Sequence, residues 1–155
     1  MIYLASKSPR RKELLQQLGI SFEIIDAGIE EIPGENESAT EYVQRVAMDK
    51  ARAGKQLASG THPVLAADTE VVVDGRIFGK PADLDEAVAM LQSLSGRMHI
   101  VYTAVALLDQ DMKILLNENR VWFRPLRVEE CEEYCRKYRP LDKAGSYGVQ
   151  DKGAG

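Results

Sequence analysis

Residues 63–81 read PVLAADTEVVVDGRIFGKP, and the fold turns on how this stretch is divided. Residues 63–67 form a short apolar run, which predicts a buried strand ending at Asp68. Residues 71–73, then Asp74-Gly75, then residues 76–78 read as a hairpin with a two-residue turn. Gly79-Lys80-Pro81 follows as a loop. Outside this stretch the pattern is strand and helix in alternation, which argues for α/β layers. A hairpin inside such a pattern argues for a mixed sheet rather than a purely parallel one.

Near the N-terminus, residues 2–5 are an apolar run that predicts a first strand. Ser8 is a good N-cap and Pro9 suits the first helical position, so a helix opens there. Leu14, Leu15 and Leu18 give it one apolar face, and Gly19 stops it. Alternation at Ile20, Phe22 and Ile24 predicts another strand. Residues 28–36 form an acidic loop. Ser38-Ala-Thr-Glu41 is a capping box that starts a long helix with Val43, Val46, Ala47 and Ala51 inward. Asp83 and Glu86 cap a helix that runs to about Leu94. Residues 99–108 and 112–123 read as long strands, and 129–137 as a helix. From Pro140 the chain is glycine-rich.

The chain has 155 residues, which fits one domain over 1–155. A chain of that size buries roughly 68–70% of its unfolded surface and needs no covalent staples. The net charge is −4 and only 6% of residues are aromatic. Both argue against nucleic-acid binding, which favours basic surfaces and stacking platforms. Cys131 and Cys135 lie one helical turn apart with no further ligands nearby, so reduced thiols are expected rather than a zinc site. The apolar start is too short for a signal peptide, and no later run is long enough to span a membrane. A cytoplasmic location with no membrane partner is the expectation.

Four features carry chemistry. Ser6-Lys7-Ser8-Pro9-Arg10-Arg11 sets two arginines in the first turn of a helix, where cations are disfavoured unless an anion docks. Backbone N–H groups and guanidinium forks there make either a phosphate site or simply a solvated basic turn. Asp68 at a strand end is either a metal ligand, a base for water, or an ordinary turn aspartate. Lys50 lies on the inward helical face, where it either snorkels or points into a cleft; Lys80 sits between Gly79 and Pro81, and Lys143 lies among glycines. Separate lysines of this kind suit a polyphosphate. Glu30-Glu31 offers hard oxygen ligands of the kind Mg²⁺ takes together with substrate phosphates, or else a solvated acidic loop. His62 and His99 form no nucleophilic triad, and neither a P-loop nor a dinucleotide fingerprint is present.

In order along the chain, Leu-Ala-Ser-x-Ser-Pro-Arg-Arg, Ala-Asp-Thr, Gly-Lys-Pro and Asp-Lys-Ala-Gly-Ser-Tyr-Gly-Val-Gln resemble the Maf family of nucleotide pyrophosphatases. The resemblance spans essentially the whole chain. It implies an elongated Maf/ITPase-like α/β fold, a mixed twisted sheet flanked by helices with a deep cleft. It implies a divalent cation, Mg²⁺ or Mn²⁺, and hydrolysis of a nucleoside triphosphate between the α and β phosphates. Asp68 matches the family's catalytic acidic residue, and Ser8, Arg11, Glu31, Lys50 and Lys80 match its other cleft positions. Arg10, Thr69 and Gln150 resemble the branch acting on dTTP and UTP; an arginine and an amide can read pyrimidine carbonyls.

The chain departs from the family at Glu70, usually apolar there, and at Asp151. Family members also continue past Gly155 with a strand, a loop and a helix. A sheet left without them is expected to pair with a second copy, as a homodimer, or to leave a disordered tail. The competing reading of function is a non-catalytic nucleotide-binding regulator of cell division.

Overall fold

The structure is a computed structural model that describes residues 1–148. In chain order it has β1 (Ile2–Leu4), α1 (Pro9–Gln17), β2 (Phe22–Ile24), α2 (Ala39–Leu57), β3 (Val64–Val73), β4 (Arg76–Phe78), α3 (Leu84–Leu94), β5 (Met98–Leu108), β6 (Met112–Trp122) and α4 (Val128–Tyr138). A single 3₁₀ turn follows at Ala144–Ser146. The strands form one sheet in the order β2-β1-β3-β5-β6, with β4 on β3. β1 pairs in parallel with β2 and with β3, whereas β3 pairs antiparallel with β4. The sheet is therefore mixed, as the hairpin implied. The register Val73↔Arg76 leaves Asp74-Gly75 as the two-residue turn. Among the described residues no helix is long and apolar enough to cross a membrane.

Two readings need correcting. Residues 63–68 and 71–73 are not separate strands: β3 runs unbroken from Val64 to Val73, so Asp68 lies inside a strand and not at its end. The apolar pattern stops at Asp68 and Glu70, yet both are buried. A carboxylate can stay within a buried strand when a cation or donor inside the fold meets it, and one-dimensional periodicity cannot register that partner. Second, the apolar face expected of α1 is largely exposed. Leu15 is buried, but Leu14 and Leu18 are 42% and 71% exposed. A nine-residue helix meets its surroundings along a narrow line, so one leucine suffices.

The chain divides into two compact units. The first comprises Met1–Asp68 with Thr103–Asn117. Here α2 lays Val43, Val46, Ala47, Ala51 and Gly54 inward. A Cβ at Gly54 would lie 2.9 Å from Val64 Cγ1 and 3.0 Å from the Ala5 Cβ. The helix therefore rests directly on β3 and on the residue after β1, and only glycine permits that approach. The same stripe includes position 50, which is how a lysine comes to face the sheet.

The second unit comprises Thr69–Tyr102 with the chain from Glu118 onward. Ala87 and Leu91 of α3 pack with Cys131 and Cys135 of α4. Both thiols are free. Burial raises the Cys131 pKa and, with its neighbour Cys131 adding to the effect, pushes Cys135 up to about 11, so both behave as small apolar groups. Beside them His99, 1% exposed, meets the Tyr147 hydroxyl through Nε2 at 2.6 Å and stands edge-on to Phe123. Among the described residues its Nδ1 is buried without a hydrogen-bond partner.

Burial lowers the His99 pKa from 6.5. The unfolded chain then binds a proton more readily than the folded one, so stability is lost as pH falls below 6.5 toward the folded value. The expected result is a urea midpoint that drops between pH 6.5 and about pH 5, above the range where carboxylates dominate. His99→Gln should flatten that slope. An unchanged slope in the variant would place the acid sensitivity elsewhere.

Candidate active site

The first unit gathers three charged groups at one point. Lys50 Nζ lies 2.7 Å from Glu31 Oε1 and 3.4 Å from Asp68 Oδ1, and it donates to the Ala67 carbonyl at 3.4 Å. Asp68 is 5% exposed. The lysine side chain is 16% exposed and that of Glu31 36%. Each residue arrives from a different element: Asp68 from β3, Lys50 from the inward stripe of α2, and Glu31 from the loop between β2 and α2. The lysine therefore neither snorkels to solvent nor packs as an apolar stem. It is held between two carboxylates.

The turn from β1 into α1 reaches the same level of the sheet. Leu4 pairs with Leu65, so two residues further along parallel strands Ser6 lies level with Ala67. Ser6 is buried, and its Oγ accepts from the Ser8 N–H at 3.2 Å and from Arg11 Nη1 at 3.1 Å. Ser8 caps α1, its Oγ accepting from the Arg11 N–H at 3.4 Å. The two arginines thus part company. Arg11 folds back onto the turn, whereas Arg10 is exposed with Nη1 3.6 Å from Glu13. Arg10 is open to solvent, and Arg11 is held within its own turn. Ser6 was a residue to which sequence reasoning gave no role, although it stands in the same motif.

The remaining sequence candidates belong to the second unit. Thr69 is half-buried on β3 and Glu70 beside it is buried. Lys80 is exposed in its loop. Lys143 is half-buried, 3.7 Å from Asp142. The loops bearing the two lysines are tied together, because the Gly145 N–H donates to the Gly79 carbonyl at 3.3 Å. Gly145 has φ +69°, and a Cβ there would lie 2.7 Å from Val71 Cγ2. Ser146 is fully buried and donates to the Met90 sulfur, and the Gly148 N–H donates to Tyr134 Oη. Gln150 and Asp151 lie outside the described residues.

Among the described residues no three histidine, cysteine or acidic side chains gather as a metal cage. What the first unit does offer is two carboxylates converging on one cationic atom. That donor set suits a hard divalent cation that takes one or two carboxylates and fills its other positions with water and substrate phosphates. An open groove of about 560 Å³ runs along the loop before α2. Its walls include Ile32, Arg45, Asp49 and Arg52, but not Glu31, Lys50 or Asp68. This hollow is thus not where the charged cluster lies.

A family model described as Maf-like protein matches residues 1–155. The dTTP/UTP pyrophosphatase of Escherichia coli is 50% identical over 153 residues, covering 98% of this chain and 78% of that protein. The dTTP/UTP pyrophosphatase of Methylococcus capsulatus is 48% identical over 153 residues, with 98% and 76% covered. Among solved structures, the Staphylococcus aureus Ham1 protein superposes with a TM-score of 0.51 at 18% identity, covering 77% of this chain and 69% of that one. At that identity the likeness bears on the fold alone.

Proposed function

Because the chain belongs to the Maf-like family, we propose that it hydrolyses a nucleoside triphosphate, dTTP or UTP, to the monophosphate and pyrophosphate with the help of a divalent cation. The observation that carries this reading is the convergence of Glu31 and Asp68 on the Lys50 ammonium. The dTTP/UTP pyrophosphatases named above support the choice of substrate.

Glu31 and Asp68 hold the cation in this reading. The chemistry such an ion supplies when bound is charge neutralisation on phosphate oxygens and a lowered pKa of a bound water. Asp68 also accepts the proton of the attacking water at a carboxylate oxygen. Lys50, Arg11 and Lys80 stabilise the phosphates as negative charge builds on them, and such stabilisation is usually the largest part of catalysis in phosphoryl transfer. Ser8, whose Oγ accepts from the Arg11 N–H and whose hydroxyl proton remains to donate, adds a donor to the same anion. Lys143 contacts the polyphosphate, and Arg10, Thr69 and Gln150 read the base. The reading includes a cytoplasmic location and a homodimer. The exposure of Leu115 on the edge strand β6 is consistent with pairing.

The test is pyrophosphate release from a panel of triphosphates with Mg²⁺ or Mn²⁺. UTP and dTTP share a 2-carbonyl, an N3–H and a 4-carbonyl, whereas CTP replaces the last two with an acceptor and an amine. A site that hydrogen-bonds the first pattern leaves buried groups unpaired against the second. Turnover of UTP and dTTP is therefore expected to exceed that of CTP, ATP and GTP by about a hundredfold or more. Gln150→Glu should erode the preference, because a carboxylate cannot donate. A purine preference would overturn the base assignment alone. Tight binding with no pyrophosphate released would overturn the enzyme.

A further inference from the structure

We infer that Arg45 is a positioning residue for the reaction, acting through Glu31 by fixing the loop that presents it. This rests on the role proposed for Glu31. The loop between β2 and α2 contains neither helix nor strand over residues 25–38. A free segment of that length samples many arrangements, and holding one carboxylate at one point within it needs anchors. The Lys50 contact at 2.7 Å is one. Glu31 is substantially exposed, so that contact by itself is weakened by solvent.

Arg45 supplies several more close to Glu31. Its Nη2 donates to the Ile32 carbonyl at 2.9 Å, one residue beyond Glu31. Its Nε and Nη2 grip both oxygens of Glu37 at 2.7 and 3.1 Å. Its Nη1 donates to Asp49 Oδ2, a residue of its own helix, at 3.0 Å. The guanidinium also lies 5.4 Å from the centre of the Tyr42 ring. Glu37 accepts in addition from the Gly34 N–H at 2.9 Å, while its own N–H donates to the Gly34 carbonyl at 3.1 Å. Arg45 and the Gly34 amide hold the Glu37 carboxyl below its usual range. The fork thus joins helix, turn and loop at the residue following Glu31. A planar guanidinium grips one carboxylate with two nitrogens while its other N–H groups reach two further partners, and a compact ammonium cannot span that spread. Of these partners the Ile32 carbonyl and Glu37 lie in the segment that carries Glu31, and through them Arg45 acts on that carboxylate.

The experiment is a double-mutant cycle on UTP turnover, joined to amide hydrogen exchange over residues 28–37. Arg45→Met keeps the apolar stem and removes the fork. It is expected to cut kcat about tenfold or more, to leave the melting transition cooperative, and to speed exchange in the loop. In a Glu31→Gln background the same change should cost nothing further in kcat, although loop exchange still rises. Multiplicative losses, or loop exchange unchanged by Arg45→Met, would overturn the inference. If Arg45→Met does not fold, Glu37→Gln decides it, since that change keeps Arg45 and weakens its grip. A smaller loss that vanishes in the Glu31→Gln background supports positioning; a loss that persists there overturns it. Should Glu31→Gln alone turn over UTP at the normal rate, the proposed role of Glu31 fails, and this inference with it. Should Glu31→Gln be impaired while Arg45→Met is not, only the inference fails.

Discussion

Asp68→Asn is expected to reduce turnover of UTP by about a thousandfold, within the range that a lost acid–base group costs. The substitution is nearly isosteric, and the residue is buried in the middle of β3, so the strand has room for it without repacking. It keeps an oxygen near Lys50 but removes a charge from a site where two carboxylates face one ammonium. The amide can neither accept the proton of an attacking water nor serve as a strong ligand for a hard cation. Melting temperature should therefore move by only a few degrees while pyrophosphate release nearly ceases. Turnover close to the unmodified protein's would mean that Asp68 is neither base nor essential ligand. A collapsed melting transition would instead mark it as a structural charge.

Gly145→Ala should have the largest effect on stability. The residue sits at φ +69°, where an alanine is strained by about 1 kcal/mol or more. Its new Cβ would also lie 2.7 Å from Val71 Cγ2 and 3.0 Å from Val71 Cβ. Val71 is buried in β3 at 2% exposure and cannot withdraw, so overpacking adds about 1–3 kcal/mol. The sum, about 2–4 kcal/mol, corresponds to a fall in melting temperature of roughly 5–15 °C for a chain of this size. Catalysis should suffer as well, because the Gly145 N–H ties the loop of Lys143 to the carbonyl preceding Lys80. Val71→Ala in the same chain should restore part of the loss by making room. No rescue would mean that the backbone angle, not the contact, sets the cost.

Much of this fold is legible because local signals agreed. Ser38 accepts from the Glu41 N–H and opens α2 where the capping box predicted. Asp83 does the same for α3, which closes at Leu94. Asp74-Gly75 turns the hairpin. Each is a short-range device whose physics involves a few neighbouring residues. Where the reading of β3 failed, the missing information was long-range. Asp68 and Glu70 look like the end of a strand because polar residues interrupt the apolar run, and Asp68 becomes a strand interior only once Lys50, eighteen positions earlier, is known to face it.

The candidate site divides in the same way. Residue types and motif order alone singled out Glu31, Lys50, Asp68, Ser8 and Arg11, since carboxylates, lysines and a capped basic turn are chemically conspicuous wherever they lie. Arg45, Ser6 and His99 carried no such signal: Arg45 works through loop and helix partners that no motif links to it, Ser6 through its own motif, and His99 through Tyr147 far along the chain. The helices, the hairpin, the mixed sheet and the family follow from periodicity, caps, turns and ordered motifs, all of them local or linear features of the chain. Three-dimensional packing was needed to show that Arg11 turns inward onto Ser6 while Arg10 turns out to Glu13. It alone decided that Glu31 and Asp68 meet at one ammonium. The reason is that a helix stripe specifies which side chains face inward, but which partner each one meets depends on how α2 lies across β3, a packing set by Gly54, Val64 and Ala5 together.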